Sequence, residues 1–430
     1  MGRSLLGNLK WLHENRAYRL LLYPSVVRNY LLYQKEMAEK PDIMRSSPPG
    51  VEIELTNKCN LACTQCLRSL GLKPYKLGSM DMEDFKKALD QFPYVMHLSL
   101  NGFGEPLMAP ILWEAVEYAH KVRPWCKILM YTNGMLLTED NIQKALDSHV
   151  TELNVSLDGG TLDTYKKVRR GGKLDVIAEN IKKFYEMRKA SGKKFPRMGL
   201  NFVMLNDNEG ELPAFIELGA ELGVDYINCI TYATYDWGFQ NRRTLESYRA
   251  ELTEAKKALA KTGLECRYFP EWDPAWLKPD RPFMCNFFWG EEFRVSFNGH
   301  ITLGCCTPFG ESYSYGNLFD TPVSQIWNNE KFRANRAAAR EGKTTNAVCA
   351  GCDKFAREFF DERKGPREQI LSVEELLSST DTLAVIRKER LADRAAANAN
   401  FTEALAHAHG AGIGEVSKPA QEERSDLVGA

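Results

Sequence analysis

From residue 51 onward, short apolar runs alternate with longer amphipathic stretches. Strand-like runs lie at 51–56, 95–101, 127–133, 152–158, 198–204 and 225–231. Stretches with helical periodicity lie at 81–91, 109–123, 138–148, 175–191 and 209–222. This rhythm predicts six βα units in series, and hence a parallel sheet. Within the runs the residues alternate. His97, Ser99 and Asn101 share one face, and Met96, Leu98 and Leu100 the other; Glu152, Asn154, Ser156 and Asp158 oppose Leu153, Val155 and Leu157. A doubly wound sheet is buried on both faces and reads as near-continuous apolar runs. Alternation predicts instead an apolar face under helices and a polar face lining the lumen of a barrel or partial barrel.

The flanks read differently. Residues 1–48 predict a helical extension, with one apolar stripe over Leu5, Leu6, Leu9, Trp11 and Leu12 and another from Leu20 to Tyr33, broken by Pro24. Its polar positions are not notably basic, which favours packing on the following domain over a membrane surface. The barrel is assigned to 49–240. A connector follows at 241–282, with one helix at about 244–262. A small unit over 283–365 opens with Phe293 to Leu303, where Asn298-Gly299 signals a tight hairpin. Residues 366–430 predict a helix near 372–394 and then a largely disordered tail. The fold class is thus α/β: a partial (βα)6 barrel resembling a TIM barrel, with helical N-terminal and hairpin-plus-helix C-terminal additions.

Composition narrows the chemistry. Of 430 residues, 44% are apolar and 26% charged, with Lys+Arg 56 against Asp+Glu 57. That balance argues against bulk-charge binding of nucleic acid. No apolar run reaches the ~20 residues of a membrane span, and no signal peptide is evident, so a cytoplasmic location is expected. The 11 cysteines are then expected to be reduced, which turns attention from disulfides to metal.

Cys59, Cys63 and Cys66 form Cys-x3-Cys-x2-Cys just past the first strand. Active sites of βα barrels gather at that end of the strands. Three thiolates on one tight loop can share a metal centre and leave one of four positions open. Zinc with a distant fourth ligand is the competing reading. After the second strand comes Gly102-Phe103-Gly104-Glu105-Pro106-Leu107, where Gly104 allows close backbone approach and Glu105 can accept from an ammonium group.

This pairing of motifs resembles the radical S-adenosylmethionine (SAM) enzymes over roughly residues 50–235. The resemblance implies a [4Fe–4S] cluster on Cys59, Cys63 and Cys66, with SAM on its open iron. It also implies reductive cleavage of SAM to a 5′-deoxyadenosyl radical that removes a hydrogen atom from substrate, and an external reductant of flavodoxin or ferredoxin type. Gly104, Glu105 and Pro106 would form the loop that receives the SAM amine. Asn133 would line the pocket, Ser156 and Asp158 would face the ribose, and Arg169 would pair with the SAM carboxylate. In one departure, Gln65 stands where the family usually has an aromatic residue. Cys285, Cys305, Cys349 and Cys352, with Gly316-Asn317-Leu318 and Ile326-Trp327 between them, resemble the SPASM/twitch extension and imply one auxiliary [4Fe–4S] cluster. Cys306 is the alternative to Cys305 as ligand.

The expected activity is oxidation of a small polar metabolite, of sugar or aminocyclitol type, or of a peptide. A radical epimerase is the alternative. It would need a thiol hydrogen donor, for which Cys229 and Cys306 are the candidates, although strand alternation puts Cys229 outside the lumen. Cys126 and Cys266 read as packing residues. A non-catalytic zinc-binding regulator or scaffold is the reading from another class.

Overall fold

The structure, a computed structural model, describes residues 22–66, 68–69, 77–231, 245–269, 286–290, 293–303, 314–341, 343 and 345. The expected stripe over 5–12, the helix near 372–394, the tail, and Cys285, Cys305, Cys306, Cys349 and Cys352 lie outside these residues.

Seven parallel strands follow one another across a sheet: β1 (Gly50–Ile53), β2 (His97–Ser99), β3 (Lys127–Thr132), β4 (Glu152–Ser156), β5 (Arg197–Met204), β6 (Tyr226–Thr231) and β7 (Cys266–Tyr268). A hairpin, β8 (Phe293–Val295) and β9 (Ile301–Leu303), joins the other side, with β8 parallel to β1. The order is β7-β6-β5-β4-β3-β2-β1-β8-β9, so the sheet is open, as in a partial barrel.

Helices fill the expected connections: α1 (Pro24–Glu39), α2 (Met82–Asp90), α3 (Leu112–Val122), α4 (Glu139–Asp147), α5 (Leu162–Val168), α6 (Leu174–Ala190), α7 (Leu212–Glu221), α8 (Leu245–Thr262), α9 (Val323–Ile326) and α10 (Glu330–Arg340). Local chemistry sets several of their ends. The side chains of Asp81 and Thr138 accept from the backbone N–H of Asp84 and Asn141, capping α2 and α4.

The alternation holds. Leu98, Leu100, Ile128, Leu153, Val155 and Leu157 are fully buried in the apolar core. On the other face, His97 is exposed and Ser99, Tyr131, Glu152 and Ser156 are half-buried, whereas Asn154 and Asp158 are buried, so the concave face is polar and solvent-accessible in part. The hairpin turns at Asn298-Gly299, where Gly299 has φ 84° and an added Cβ would strike Asn317 and Phe319.

Four expectations are corrected. Pro24 starts α1 rather than breaking a helix, because its missing N–H costs nothing in a first turn. Residues 40–49 are an irregular strap rather than helix: Lys40 turns left-handed at φ 54°, and Glu36 reaches back to accept from the backbone N–H of Arg45 and Ser46. α5 forms a short helix that the pattern did not show. The expected connector contributes β7 to the main sheet, and the C-terminal hairpin extends that sheet from the opposite side.

The strap binds the N-terminal helix to the C-terminal unit. Trp327 Nε1 donates to Ser46 O at 3.0 Å and Trp289 Nε1 to Pro41 O at 2.9 Å. Fully buried Arg336 donates to Phe288 O, Asp42 O, Trp327 O and Asn328 Oδ1.

Candidate active site

The cysteine loop is tied at its neck. Thr56 bridges Ser79, Met80 N donates to Leu55 O at 2.8 Å, and Gly78 N donates to Asn57 Oδ1 at 2.8 Å. Its middle docks on the end of α5, where Ala62 N donates to Arg170 O and Thr64 N to Val168 O. That docking sets Arg169 Nη1 3.9 Å from Cys63 Sγ. From the other side, Asn133 Nδ2 donates to Asn60 Oδ1 at 2.7 Å and lies 3.8 Å from Cys59 Sγ. Cys59, Cys63 and Cys66 therefore share one small loop with donors aimed at two of the sulfurs. Burial first, and then the Glu105 charge, pushes the Cys59 thiol up to about 12. Burial likewise takes Cys63 to about 11 against the pull of Arg169. Thiols this reluctant to ionise alone are deprotonated by a metal. The donor set, three sulfurs with a guanidinium and an amide beside them, fits an iron–sulfur cluster with an open position.

The second loop is locked against the first. Glu105 N donates to Lys58 O at 2.7 Å. A Cβ at Gly104 would lie 2.1 Å from Thr56 O and 2.6 Å from Lys58 O, so only glycine permits this approach. Buried Pro106 opens a 3₁₀ turn over Pro106–Met108. The Glu105 carboxylate is 2% exposed. Its Oε1 accepts from Thr132 Oγ1 at 2.7 Å and Leu107 N at 3.2 Å, and its Oε2 from Asn133 N at 2.8 Å. Burial raises its pKa to about 6 despite these bonds. A carboxylate offers about four acceptor sites, so one is left for a cation that would offset the burial.

The end of β4 departs from expectation. Asp158 is fully buried and has φ 54°, a left-handed conformation that aspartate tolerates better than most residues. Its Oδ2 accepts from Arg169 Nε at 2.8 Å and Gln65 Nε2 at 2.6 Å, and its Oδ1 from Val203 N at 2.8 Å. Asn208 Nδ2 donates to its carbonyl at 3.0 Å. Asp158 is thus an anchor for Arg169 rather than a ribose contact. Burial works to lower the Arg169 pKa, and the Asp158 charge overrides it and raises it. Arg169 is accordingly not part of a solvated helix face; its side chain is 12% exposed. Ser156 ends β4 on the lumen face, half-buried. Gln65, where an aromatic residue was the norm, ties the cysteine loop to Asp158; its polarity was the only sequence signal of that role.

The lumen is polar near β4–β7. Tyr226 OH donates to Asn154 Oδ1 at 3.0 Å, and Asn228 Nδ2 to Asn201 Oδ1 at 2.8 Å. Arg267 reaches Glu152 at 2.9 Å and stacks 3.5 Å above the Tyr226 ring. Because Asn228 points inward, its neighbour Cys229 points outward and is fully buried in the apolar core. This corrects its candidacy as a lumen hydrogen donor.

Known proteins match this arrangement. The chain matches the radical SAM superfamily over residues 53–219 and the SPASM iron-sulfur cluster-binding domain over residues 285–353. It is 28% identical to PqqA peptide cyclase of Gluconobacter oxydans, covering 66% of this chain and 77% of that protein. It is 31% identical to the tungsten-containing aldehyde ferredoxin oxidoreductase cofactor-modifying protein of Pyrococcus furiosus, covering 65% of this chain and 81% of that one. In fold it resembles Streptococcus suis SuiB bound to precursor peptide SuiA, with TM-score 0.56 and 16% identity, covering 76% of this chain and 74% of the other. Matched motifs, an open parallel barrel sheet and a cysteine loop at its strand ends make this chain a member of the radical SAM superfamily with a C-terminal SPASM domain.

Proposed function

We propose that the protein is a radical SAM enzyme that modifies a peptide by net two-electron oxidation or oxidative cross-linking, with a small polar metabolite as the weaker alternative substrate. Two PqqA peptide cyclases carry the peptide reading, matched over 77% and 84% of their own length at 28% and 27% identity. Cys59, Cys63 and Cys66 hold the cluster, and Cys285, Cys305, Cys349 and Cys352 hold one auxiliary cluster with no ligand position to spare. When bound and reduced by a flavodoxin or ferredoxin, the first cluster supplies the electron that splits SAM. Glu105 holds the SAM ammonium in its remaining acceptor site, and Arg169, oriented by Asp158, holds the carboxylate. Ser156 and Asn133 line the same pocket, and the polar lumen face receives the substrate. Epimerisation loses one of its two candidate hydrogen donors because Cys229 faces the core, and the other, Cys306, lies outside the described residues. The two-zinc scaffold gives way to the family match.

The test is anaerobic reconstitution followed by turnover in deuterium oxide with short peptides encoded beside the gene. Formation of 5′-deoxyadenosine and a peptide lighter by two hydrogens is expected, and Cys59→Ala, Cys63→Ala or Cys66→Ala should each abolish both. Solvent deuterium fixed at one carbon of an otherwise unchanged peptide would mean epimerisation and defeat the proposal.

A further inference from the structure

The lumen wall over β4 to β7 is built in two rows. In the lower row Asn154, Gly199 and Tyr226 stand side by side on β4, β5 and β6. A Cβ at Gly199 would run into the Tyr226 ring, so the missing side chain lets that ring cross β5 and reach Asn154. Arg267 covers the ring at 3.5 Å and is itself paired with Glu152 and Glu265, so the floor is closed and its charges are matched. In the upper row Ser156, Asn201, Asn228 and Tyr268 stand side by side on β4 to β7. Tyr268 is 66% exposed, and Ile230, two residues beyond Asn228 on the same face, is 38% exposed. Three carboxamides meet between the rows. Asn228 Nδ2 donates to Asn201 Oδ1 at 2.8 Å and to Asn154 Oδ1 at 3.3 Å, and Tyr226 OH donates to Asn154 Oδ1 at 3.0 Å. Asn154 is 1% exposed and Asn201 4%. Their Nδ2 atoms and Asn228 Oδ1 make no hydrogen bond among the described residues, yet none of the three is sealed off. Buried polar groups are almost always paired, so these open ends call for a ligand.

We propose that Asn154, Asn201 and Asn228 form a subsite on the lumen floor that holds an uncharged amide group of the substrate, with Tyr268 and Ile230 flanking it. The free Nδ2 groups of Asn154 and Asn201 donate to the amide oxygen, which has two lone pairs, and Asn228 Oδ1 accepts from the amide N–H. Turning all three carboxamides over together keeps their mutual bonds, since Tyr226 OH also lies 3.4 Å from Glu152 Oε2 and can donate there while accepting from Asn154. That exchange swaps two free donors and one acceptor for two acceptors and one donor, and an amide complements either set. Other groups fit worse. A carboxylate sets an anion against Asn228 Oδ1, and an ammonium faces two N–H donors. A lone hydroxyl carries donor and acceptor on one atom, whereas the free ends belong to neighbouring strands about 5 Å apart. Asn154 lies two residues, roughly 7 Å, down β4 from Ser156. The subsite therefore fixes a group deeper than the SAM pocket and leaves the reacting carbon above it.

This inference rests on the reading of the lumen as the place that receives the substrate, and its test separates the two. Reconstituted holoenzyme with oxidised clusters and SAM is probed anaerobically by saturation-transfer NMR with N-acetylglycine N-methylamide, scyllo-inositol and acetate, each at millimolar concentration. Binding of the amide and of neither other probe is expected. Asn201→Asp keeps the shape and the bond from Asn228 but turns the free donor into an anion, so affinity for the amide should fall about tenfold or more. Asn154→Asp makes the same change from β4, and if both variants misfold the wild-type ranking of the three probes decides alone. With the encoded peptides, exchanging one backbone amide for an ester should raise KM in the wild type and be nearly silent in Asn228→Ala, which marks a main-chain source. The same coupling to loss of a Gln or Asn side chain marks a side-chain source. If the amide binds through these residues and no peptide is turned over, the subsite stands and only the peptide reading falls. Inositol or acetate bound in place of the amide, no amide signal from the wild type, or undiminished amide affinity in the folded variants overturns the proposal.

Discussion

Asp158→Ala tests the anchor at the heart of the site. The substitution removes an anion that is fully buried and leaves Arg169, only 12% exposed, without its partner. It also orphans Val203 N–H and Gln65 Nε2, which donate to the same carboxylate at 2.8 and 2.6 Å. Breaking a buried ion pair from one side costs about 3–5 kcal/mol. At about 2–4 °C per kcal/mol for a unit of 150–250 residues, the barrel should melt roughly 6–20 °C lower. Anaerobic thermal melts of cluster-free protein, followed by far-ultraviolet circular dichroism, measure this. Asp158→Ala/Arg169→Met removes both charges and should recover part of the loss, because an apolar pair of similar bulk is often no worse than a buried ion pair. A shift below about 2 °C for the single variant, or a double variant as unstable as the sum of the singles, would refute the buried pair. SAM affinity should fall in both variants, since Arg169 loses its fixed orientation in the single variant and is removed in the double one.

Glu105→Gln should weaken SAM binding yet leave the SAM-free protein at least as stable near pH 7.5. Its carboxyl titrates at about 6 in the fold against 4.5 ordinarily, so the folded state holds the proton more tightly. The stability this contributes is complete below pH ~4.5 and is lost as pH rises through about 6, a change of about 2 kcal/mol that Glu105→Gln should erase in melts across that window. Gly104→Ala drives a methyl into the carbonyls of Thr56 and Lys58, so iron content after reconstitution should fall sharply while circular dichroism stays native; normal iron loading would contradict the close approach. Arg336→Ala leaves the buried Phe288 and Trp327 carbonyls and the part-buried Asp42 carbonyl without their guanidinium donor, while Asn328 Oδ1 keeps Met44 N. At about 1–3 kcal/mol for an unmade buried bond, hydrogen exchange should rise over residues 40–48, and unchanged protection there would mean the strap is held by other contacts.

The sequence by itself determined the order of the first six strands and of the longer helices between them, because a two-residue alternation and a 3.6-residue period are local and survive without knowledge of the fold. It also determined that Cys59, Cys63 and Cys66 act together, since their spacing confines them to one loop. Alternation already carried the outward placement of Cys229, which Asn228 in the lumen bears out. Only the tertiary structure decided what each polar group at the strand ends is used for. Nothing in the spacing of Gln65, Asp158, Arg169 and Val203 says that one buried carboxylate serves the other three. The same holds for β7, three residues long and too short for a periodic signal, which becomes a strand because β6 offers it an open edge. The strap at 40–49 and the hairpin beside β1 are fixed by hydrogen bonds between residues more than 240 positions apart, such as Trp289 to Pro41 and Arg294 to Glu52. Local pattern states which face a residue shows; the partner it meets there depends on chain closure over distances that no local pattern records.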